Sequence, residues 1–261
     1  MLRIAIHGAA GQMGRRLVAL GAADPQLTVA AALESSGNPR LGDDAGIVAG
    51  AGALGVPLAD ELLVPVDVVI DFSVPKAAKA ILETCRQNRL PLVLGTTGFE
   101  PEQIGQIHAV AKEIPLLWSP SMSMAVNLTM KLCELVGKVL ADKDADVEIL
   151  ERHHRFKEDS PSGTALKFGE IIAKQMGQTQ QVHGRRGRSG KRPHHEIGFH
   201  AIRVGDNPGE HTIVFAMLGE TLELTVRASN RDCYAQGALA AAKFLAGKPA
   251  GLYGMGDVLG L

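Results

Sequence analysis

The chain has 261 residues, 46% of them hydrophobic and 21% charged, with a formal net charge of −1. That balance excludes a wholly disordered chain, and it gives no electrostatic reason to bind nucleic acid or an anionic membrane. Aromatic residues are only 4%, too few for the stacking platforms that base recognition uses.

No apolar run reaches the ~18 residues of a membrane span, and the first residues lack the length and flanks of a signal peptide. Cys85, Cys133 and Cys233 are scattered and odd in number. They read as free thiols in a reducing compartment, so a cytoplasmic chain with no membrane or nucleic-acid partner is expected.

In chain order, residues 3–6 read as a strand, 13–22 as a helix and 27–33 as a second strand. Residues 35–55, rich in Gly, Asn and Asp, read as a long irregular loop. A buried strand over 66–70, a helix over 77–88, a strand over 90–94, a helix over 101–111 and a strand over 115–118 follow. Strands alternating with helices predict βαβ units and a parallel sheet.

The second half changes character. Leu128, Leu132, Leu135, Val136 and Val139 have the spacing of one helix face. A strand is expected over 146–151 and a helix over 164–176. Runs over 196–203, 211–217 and 221–228 are joined by turn-rich segments, which predicts an antiparallel meander. An Ala-rich helix over 232–246 precedes a Gly-rich tail. Ile213, Val214, Phe215, Ala216 and Met217 leave their strand no polar side. A four-stranded sheet covered on one face by a helix pair would need a partner for the other face, which favours an oligomer.

Gly8, Ala9, Ala10, Gly11, Gln12, Met13 and Gly14 follow the first strand and open the first helix. Glycines at 8, 11 and 14 permit a tight turn, close approach of a diphosphate and close helix packing. The helix start then offers N–H groups and a positive dipole. Glu34 closes the second strand, where an acid can bind a ribose diol. Asp71-Phe72-Ser73 and Gly95-Thr96-Thr97-Gly98 end two further strands, and ligands of open parallel sheets bind beyond such ends. Taken singly, each of these two is better explained by ordinary turn chemistry.

The densest chemistry lies in residues 151–165. His153, His154, Arg152, Arg155 and Lys157 come first, and Pro161-Ser162-Gly163-Thr164 then opens a helix. Two adjacent anion-binding devices fit a dicarboxylate, and His153 and Lys157 are natural proton donors. Metal binding is a poor rival, because no His-Glu-x-x-His motif or Cys pair at ligand spacing occurs. Cys133 lies in a helical pattern and reads as a buried small hydrophobe. The basic run over 185–192 reads either as a mobile solvated loop or as a cover over an anionic substrate.

The stretch from Glu148 to Ala165 closely resembles the signature of bacterial 4-hydroxy-tetrahydrodipicolinate (dihydrodipicolinate) reductases. The glycine loop, Asp71-Phe72-Ser73, Gly95-Thr96-Thr97-Gly98, Asn127, Arg203-Val204-Gly205-Asp206 and Gly209-Glu210-His211 match in the same order, over essentially the whole chain. The resemblance implies a Rossmann-like parallel-sheet dinucleotide-binding domain, residues 1–124 completed by 234–261. It also implies an α+β substrate-binding and tetramerisation domain with an open mixed sheet, residues 125–233.

The implied activity is NADH- or NADPH-dependent reduction of a small cyclic dicarboxylate in diaminopimelate and lysine biosynthesis, by a homotetramer. His153 matches the family's proton donor/acceptor and Lys157 its proton donor. His154, Gly163 and Thr164 match substrate contacts. Gly8, Ala9, Ala10, Gly11, Gln12, Met13, Glu34, Gly95, Thr96, Thr97, Ser119, Pro120, Ser121 and Met122 match cofactor contacts, and no metal is implied. Gln12 and Ser35 stand where many members carry a cation, so NADH is expected to serve at least as well as NADPH. The segment Ser119-Pro120-Ser121-Met122 also departs from the usual form, so its contacts are expected through backbone. A nucleotide-binding regulator would need no His/Lys site, and a semialdehyde dehydrogenase would need a catalytic cysteine.

Overall fold

Ile4, Ala5 and Ile6 are all fully buried, as a strand covered on both faces requires. In the computed structural model, which describes residues 1–261, they lie in β1 (Leu2–His7) at the heart of a parallel sheet. Helix α1 (Gln12–Ala23) leads to β2 (Leu27–Leu33), and the short α2 (Ala45–Ala49) and β3 (Leu58–Ala59) precede β4 (Val68–Asp71). Then come α3 (Pro75–Asn88), β5 (Leu92–Leu94), α4 (Pro101–Val110) and β6 (Pro115–Trp118).

The stretch over 35–55 is not wholly irregular. Asp44 caps α2 by accepting from Gly46 N and Ile47 N, and it also accepts from the amides of Leu54 and Gly55. One carboxylate thereby folds a segment whose five-residue helix and two-residue strand are too short to show a period.

Residues Ala125–Asn230 form a second unit. Its elements are most of α5 (Met124–Leu140), β7 (Asp146–His153), α6 (Gly163–Met176), β8 (Gln180–His183), β9 (Glu196–Arg203), β10 (Glu210–Met217) and β11 (Glu220–Arg227). The sheet order is β11-β10-β7-β9-β8. The meander expectation fails at one joint. β10 does not pair with β9, because β7 lies between them, parallel to β9 and antiparallel to β10. Only β10 and β11 form the expected hairpin, and the polar strand β8 gives no hydrophobic signal in sequence.

Helix α5 also turns a different side inward from the one its leucines mark. Val126, Thr129, Cys133 and Gly137 are buried, while Leu128, Leu132, Leu135 and Val139 are exposed. Small residues decide this: a Cβ on Gly137 would lie 3.1 Å from Gln175 of α6. The unit's core joins Cys133, Phe168 and Ile172 to Val147, Ile149, Phe199, Ile213 and Phe215. Ile213 and Phe215 are buried, whereas Val214 and Ala216 on the opposite side of β10 are only partly covered.

The chain then returns to the first unit, which comprises Met1–Met124 and Arg231–Leu261. Helix α7 spans Asp232–Leu245, so the expected division at 233/234 would cut it; the second unit ends just before the helix, at Asn230. β12 (Gly251–Tyr253) and α8 (Met255–Leu259) follow, in what the sequence presents as a Gly-rich tail. The complete sheet runs β12-β6-β5-β4-β1-β2-β3, parallel throughout. Alternate β1 residues feed two cores: Ile4 and Ile6 pack with α1 and α7, and Ala5 packs with α3 and α4. The strand order reverses between β1 and β4, which is where ligands of doubly wound sheets bind.

Candidate active site

In the first unit the candidate residues collect at the carboxyl ends of the strands. Gly8 has φ of +78°, and a Cβ there would sit 2.8 Å from the Phe72 carbonyl. A Cβ on Gly14 would approach the Gly8 carbonyl to 2.0 Å. These positions admit only glycine, so the loop presses closely on the start of α1. That helix has Gly11 at its cap, with no side-chain cap and no acid in its first turn, which leaves its dipole available to an anion.

Glu34 lies against this loop. Its carboxylate accepts from Ala10 N at 3.0 Å and from Ser35 N at 3.1 Å. Asp71, fully buried, ties three strand ends together: it meets His7 Nδ1, Ser73 Oγ and Thr96 Oγ1, each at 2.6 Å. The Thr96 hydroxyl donates to Asp71. Gly95 is needed because a Cβ there would enter the Phe72 ring at 2.4 Å. Thr97 is exposed beside it.

The segment carrying Ser119, Pro120, Ser121 and Met122 follows β6. Ser119 Oγ donates to the Ser121 carbonyl at 2.7 Å. Met122 is buried against α7, where a Cβ on Gly237 would strike the Met122 carbonyl at 1.8 Å. The Ala-rich helix thus sets the height of this segment, a dependence invisible in sequence. These glycine, acid and strand-end features fit a dinucleotide: a backbone cradle for the diphosphate and an acceptor for a ribose diol.

The second unit brings the His/Lys cluster together. Glu151 and His153 are two apart on β7 and point to the same, inner face. Both are buried, and His153 Nδ1 donates to Glu151 Oε2. Arg203, the register partner of His153 on β9, grips both Glu151 oxygens at 2.9 and 2.7 Å. Ser162 N donates to Glu151 Oε1 at 3.1 Å. Burial opposes the Glu151 charge, but His153 and Arg203 outweigh it and hold the carboxyl at about 2.

Ser162 also N-caps α6, its Oγ accepting from Ala165 N at 3.2 Å. The same Oγ lies 3.2 Å from Nε2 of His211, the register partner of Glu151 on β10. Gly163 and Thr164 open the helix, and a Cβ on Gly163 would meet nothing within 4 Å. Internal packing therefore does not require glycine there. Lys157 Nζ lies 2.6 Å from Asp159. Burial works against the Asp159 charge, but Lys157 and the Gly163 amide together hold its carboxyl below the ordinary range. An acid of the chain's own thus rests on Lys157 and on the helix start expected to take an anion. The His154 backbone is fixed by Asn207 O at 2.8 Å, while its buried Nδ1 has no partner.

Residues 2–122 match the family model described as dihydrodipicolinate reductase, N-terminus, and residues 125–259 match dihydrodipicolinate reductase, C-terminus. The chain belongs to the dihydrodipicolinate reductase family. It is similar to the 4-hydroxy-tetrahydrodipicolinate reductase of Rhodopirellula baltica, 54% identical over 100% of this chain and 96% of that one. It is 48% identical to that of Alkalilimnicola ehrlichii, over 99% of each chain. Among solved structures, the dipicolinate-bound dihydrodipicolinate reductase of Paenisporosarcina sp. TG-14 superposes with a TM-score of 0.78 at 26% identity, covering 98% of this chain and 99% of that one.

For a dihydrodipicolinate reductase family member, the residue pattern pointed to His153, Lys157, His154, Gly163 and Thr164, and the fold gathers them around the end of β7 and the start of α6. Sequence reasoning assigned no role to Glu151, Asp159 or His211, though all three stand in or beside the matching motifs. The thiol of Cys133 is fully buried, and burial pushes it up to about 12, which removes the cysteine-nucleophile rival. The basic run is not simply solvated. Arg185 binds Glu148 at 2.7 Å, and Arg192 binds Asp146 at 2.5 Å and Glu148 at 3.1 Å.

Proposed function

We infer that this chain catalyses NAD(P)H-dependent reduction of 4-hydroxy-tetrahydrodipicolinate to tetrahydrodipicolinate in diaminopimelate and lysine biosynthesis. The observation that carries the reading is the convergence of His153 and Lys157 with the Ser162–Thr164 helix start in one unit of a chain matched end to end by the family. The 4-hydroxy compound loses water, one hydride is added at ring C4, and one proton is taken up. Reduced nicotinamide, when bound, supplies the hydride.

The chain's own groups manage charge and protons. The first N–H groups of α6, with the Thr164 hydroxyl, hold one substrate carboxylate, and His154 and Lys157 offer cationic or N–H partners to the other. A bound dicarboxylate beside these cations makes the conjugated imine a better hydride acceptor. His153, with Nδ1 committed to Glu151, exchanges its proton at Nε2. Lys157 supplies the second proton donor.

The Rossmann-like unit has NAD(P)-binding capability. Within it we assign the diphosphate to Gly8, Ala9, Ala10, Gly11, Gln12 and Met13, and the ribose to Glu34. Gly95, Thr97 and the backbone of Ser119, Pro120, Ser121 and Met122 take the remaining contacts. NADH serves at least as well as NADPH. We also assign a homotetramer built through the second unit's sheet, whose β10 leaves Val214 and Ala216 partly exposed. A cytoplasmic location fits the free cysteines, and no helix is long and apolar enough to cross a membrane. The test is a coupled assay with the preceding synthase, following loss of nicotinamide absorbance. Absence of turnover with either cofactor overturns the reading.

A further inference from the structure

A buried carboxylate must be matched by donors or it does not remain ionised. Arg203 and the Ser162 amide already match Glu151. A purely structural role is satisfied by those two partners, yet the carboxylate also takes the Nδ1 proton of His153. An ionised carboxylate only accepts, so this contact fixes the imidazole tautomer.

We propose that Glu151 is the positioning residue of this site, holding His153 with Nδ1 protonated while pinning the start of α6 through the Ser162 amide. One anchored carboxylate thereby sets both the proton-transfer group and the anion-binding helix start. Arg203 is the anchor, since its planar fork reaches both oxygens. The proposal rests on the proton-transfer role given to His153 above.

Glu151 and His211, on β7 and β10, touch the His153 ring directly. Around that trio stand Arg203 on β9, which holds Glu151, Ser162 at the start of α6, beside His211, and Lys157 with Asp159 in the loop between them. Of these Glu151 is the group bonded to Nδ1, so it is what sets the tautomer of His153. His211 stays neutral at working pH and adds no opposing charge there, because burial and then the neighbouring His153 push it down to about 4.

The test is Glu151→Gln, which keeps the side chain's length and one acceptor oxygen but removes the charge. We expect kcat to fall at least tenfold. The Nδ1–H tautomer of His153 should lose its dominance, because the charge that selects it is gone. That change should appear in the nitrogen NMR spectrum of the histidine. NADH affinity, a property of the other unit, should not change. A folded variant with wild-type kcat and an unchanged Nδ1–H tautomer overturns the proposal. If that variant does not fold, Arg203→Lys keeps the charge but loses the fork. It should give a mixed His153 tautomer in the same spectrum, and a single unchanged tautomer overturns the proposal equally. His153→Gln separates the two levels. Near-wild-type kcat in that variant removes the proton-transfer role, whereas the tautomer measurement reads the Glu151 contact directly.

Discussion

His211 stands nearly edge-on to His153, with ring centroids 5.2 Å apart and an interplanar angle of 76°. The contact places two imidazoles where only one can readily carry charge. Burial first, then the neighbouring His153, push His211 down to about 4 from an ordinary 6.5. Between those values the unfolded chain binds a proton at this residue that the folded chain does not. Stability is therefore full above pH 6.5 and is lost as pH falls toward 4, by on the order of 3 kcal/mol. His211→Gln, whose amide can occupy the place of Nε2 beside Ser162 Oγ, should flatten this part of the stability curve. Thermal melts between about pH 7 and pH 4.5 decide it, and an acid-side loss as steep as wild type means that another group is responsible.

Proton transfer is tested at Lys157 and His153. Replacing either with Ala should lower kcat by about 10²–10⁴-fold, the usual contribution of a positioned acid or base. Cofactor affinity should barely move. If both variants turn over at near-wild-type rates, neither residue has the role assigned to it.

Thr164→Val removes the hydroxyl at the start of α6 and preserves volume. A hydrogen bond to a charged group contributes about 1.5–3 kcal/mol. We expect the KM for the dicarboxylate to rise roughly tenfold or more, with nicotinamide affinity unaltered. Steady-state kinetics in both substrates give the answer; an unmoved KM makes the helix start purely structural.

Cofactor choice turns on the cations near Glu34. A 2′-phosphate brings about two negative charges toward that carboxylate and needs a cation to offset them. Ser35 supplies none. Arg16 is held by Asp232 at 2.6 and 2.8 Å, and Arg40 pairs with Asp43 at 3.2 Å; Arg15, on α1, remains. NADH should be preferred by about tenfold in kcat/KM, equivalent to ~1.4 kcal/mol, and Ser35→Arg should move the ratio toward NADPH. A clear NADPH preference in the wild type would falsify this account.

Assembly is the remaining test. The strands around Ile213–Met217 and Leu222–Val226 should lie at a subunit contact within a tetramer. Light scattering at micromolar concentration should report four copies, and a stable, active monomer contradicts it.

Much of this was legible in the order of residues. The glycine spacing at 8, 11 and 14, the acid closing β2 and the run from Glu151 to Thr164 are local patterns, and local patterns specify local geometry. The alternation of strands and helices likewise predicted a parallel sheet, because each apolar run has the length of one buried strand. What the sequence could not decide was which distant residues meet. Nothing between residues 151 and 211 announces that β7 separates β9 from β10, yet that insertion alone sets Arg203 and His211 on either side of Glu151 and His153. The leucines of α5 mark a helix without showing that Cys133 and Gly137 face the core. Asp71 gathers His7 and Thr96 across three strand ends only once the sheet is closed. Periodicity is a property of neighbours along the chain, whereas a buried carboxylate takes its donors from wherever the sheet order brings them.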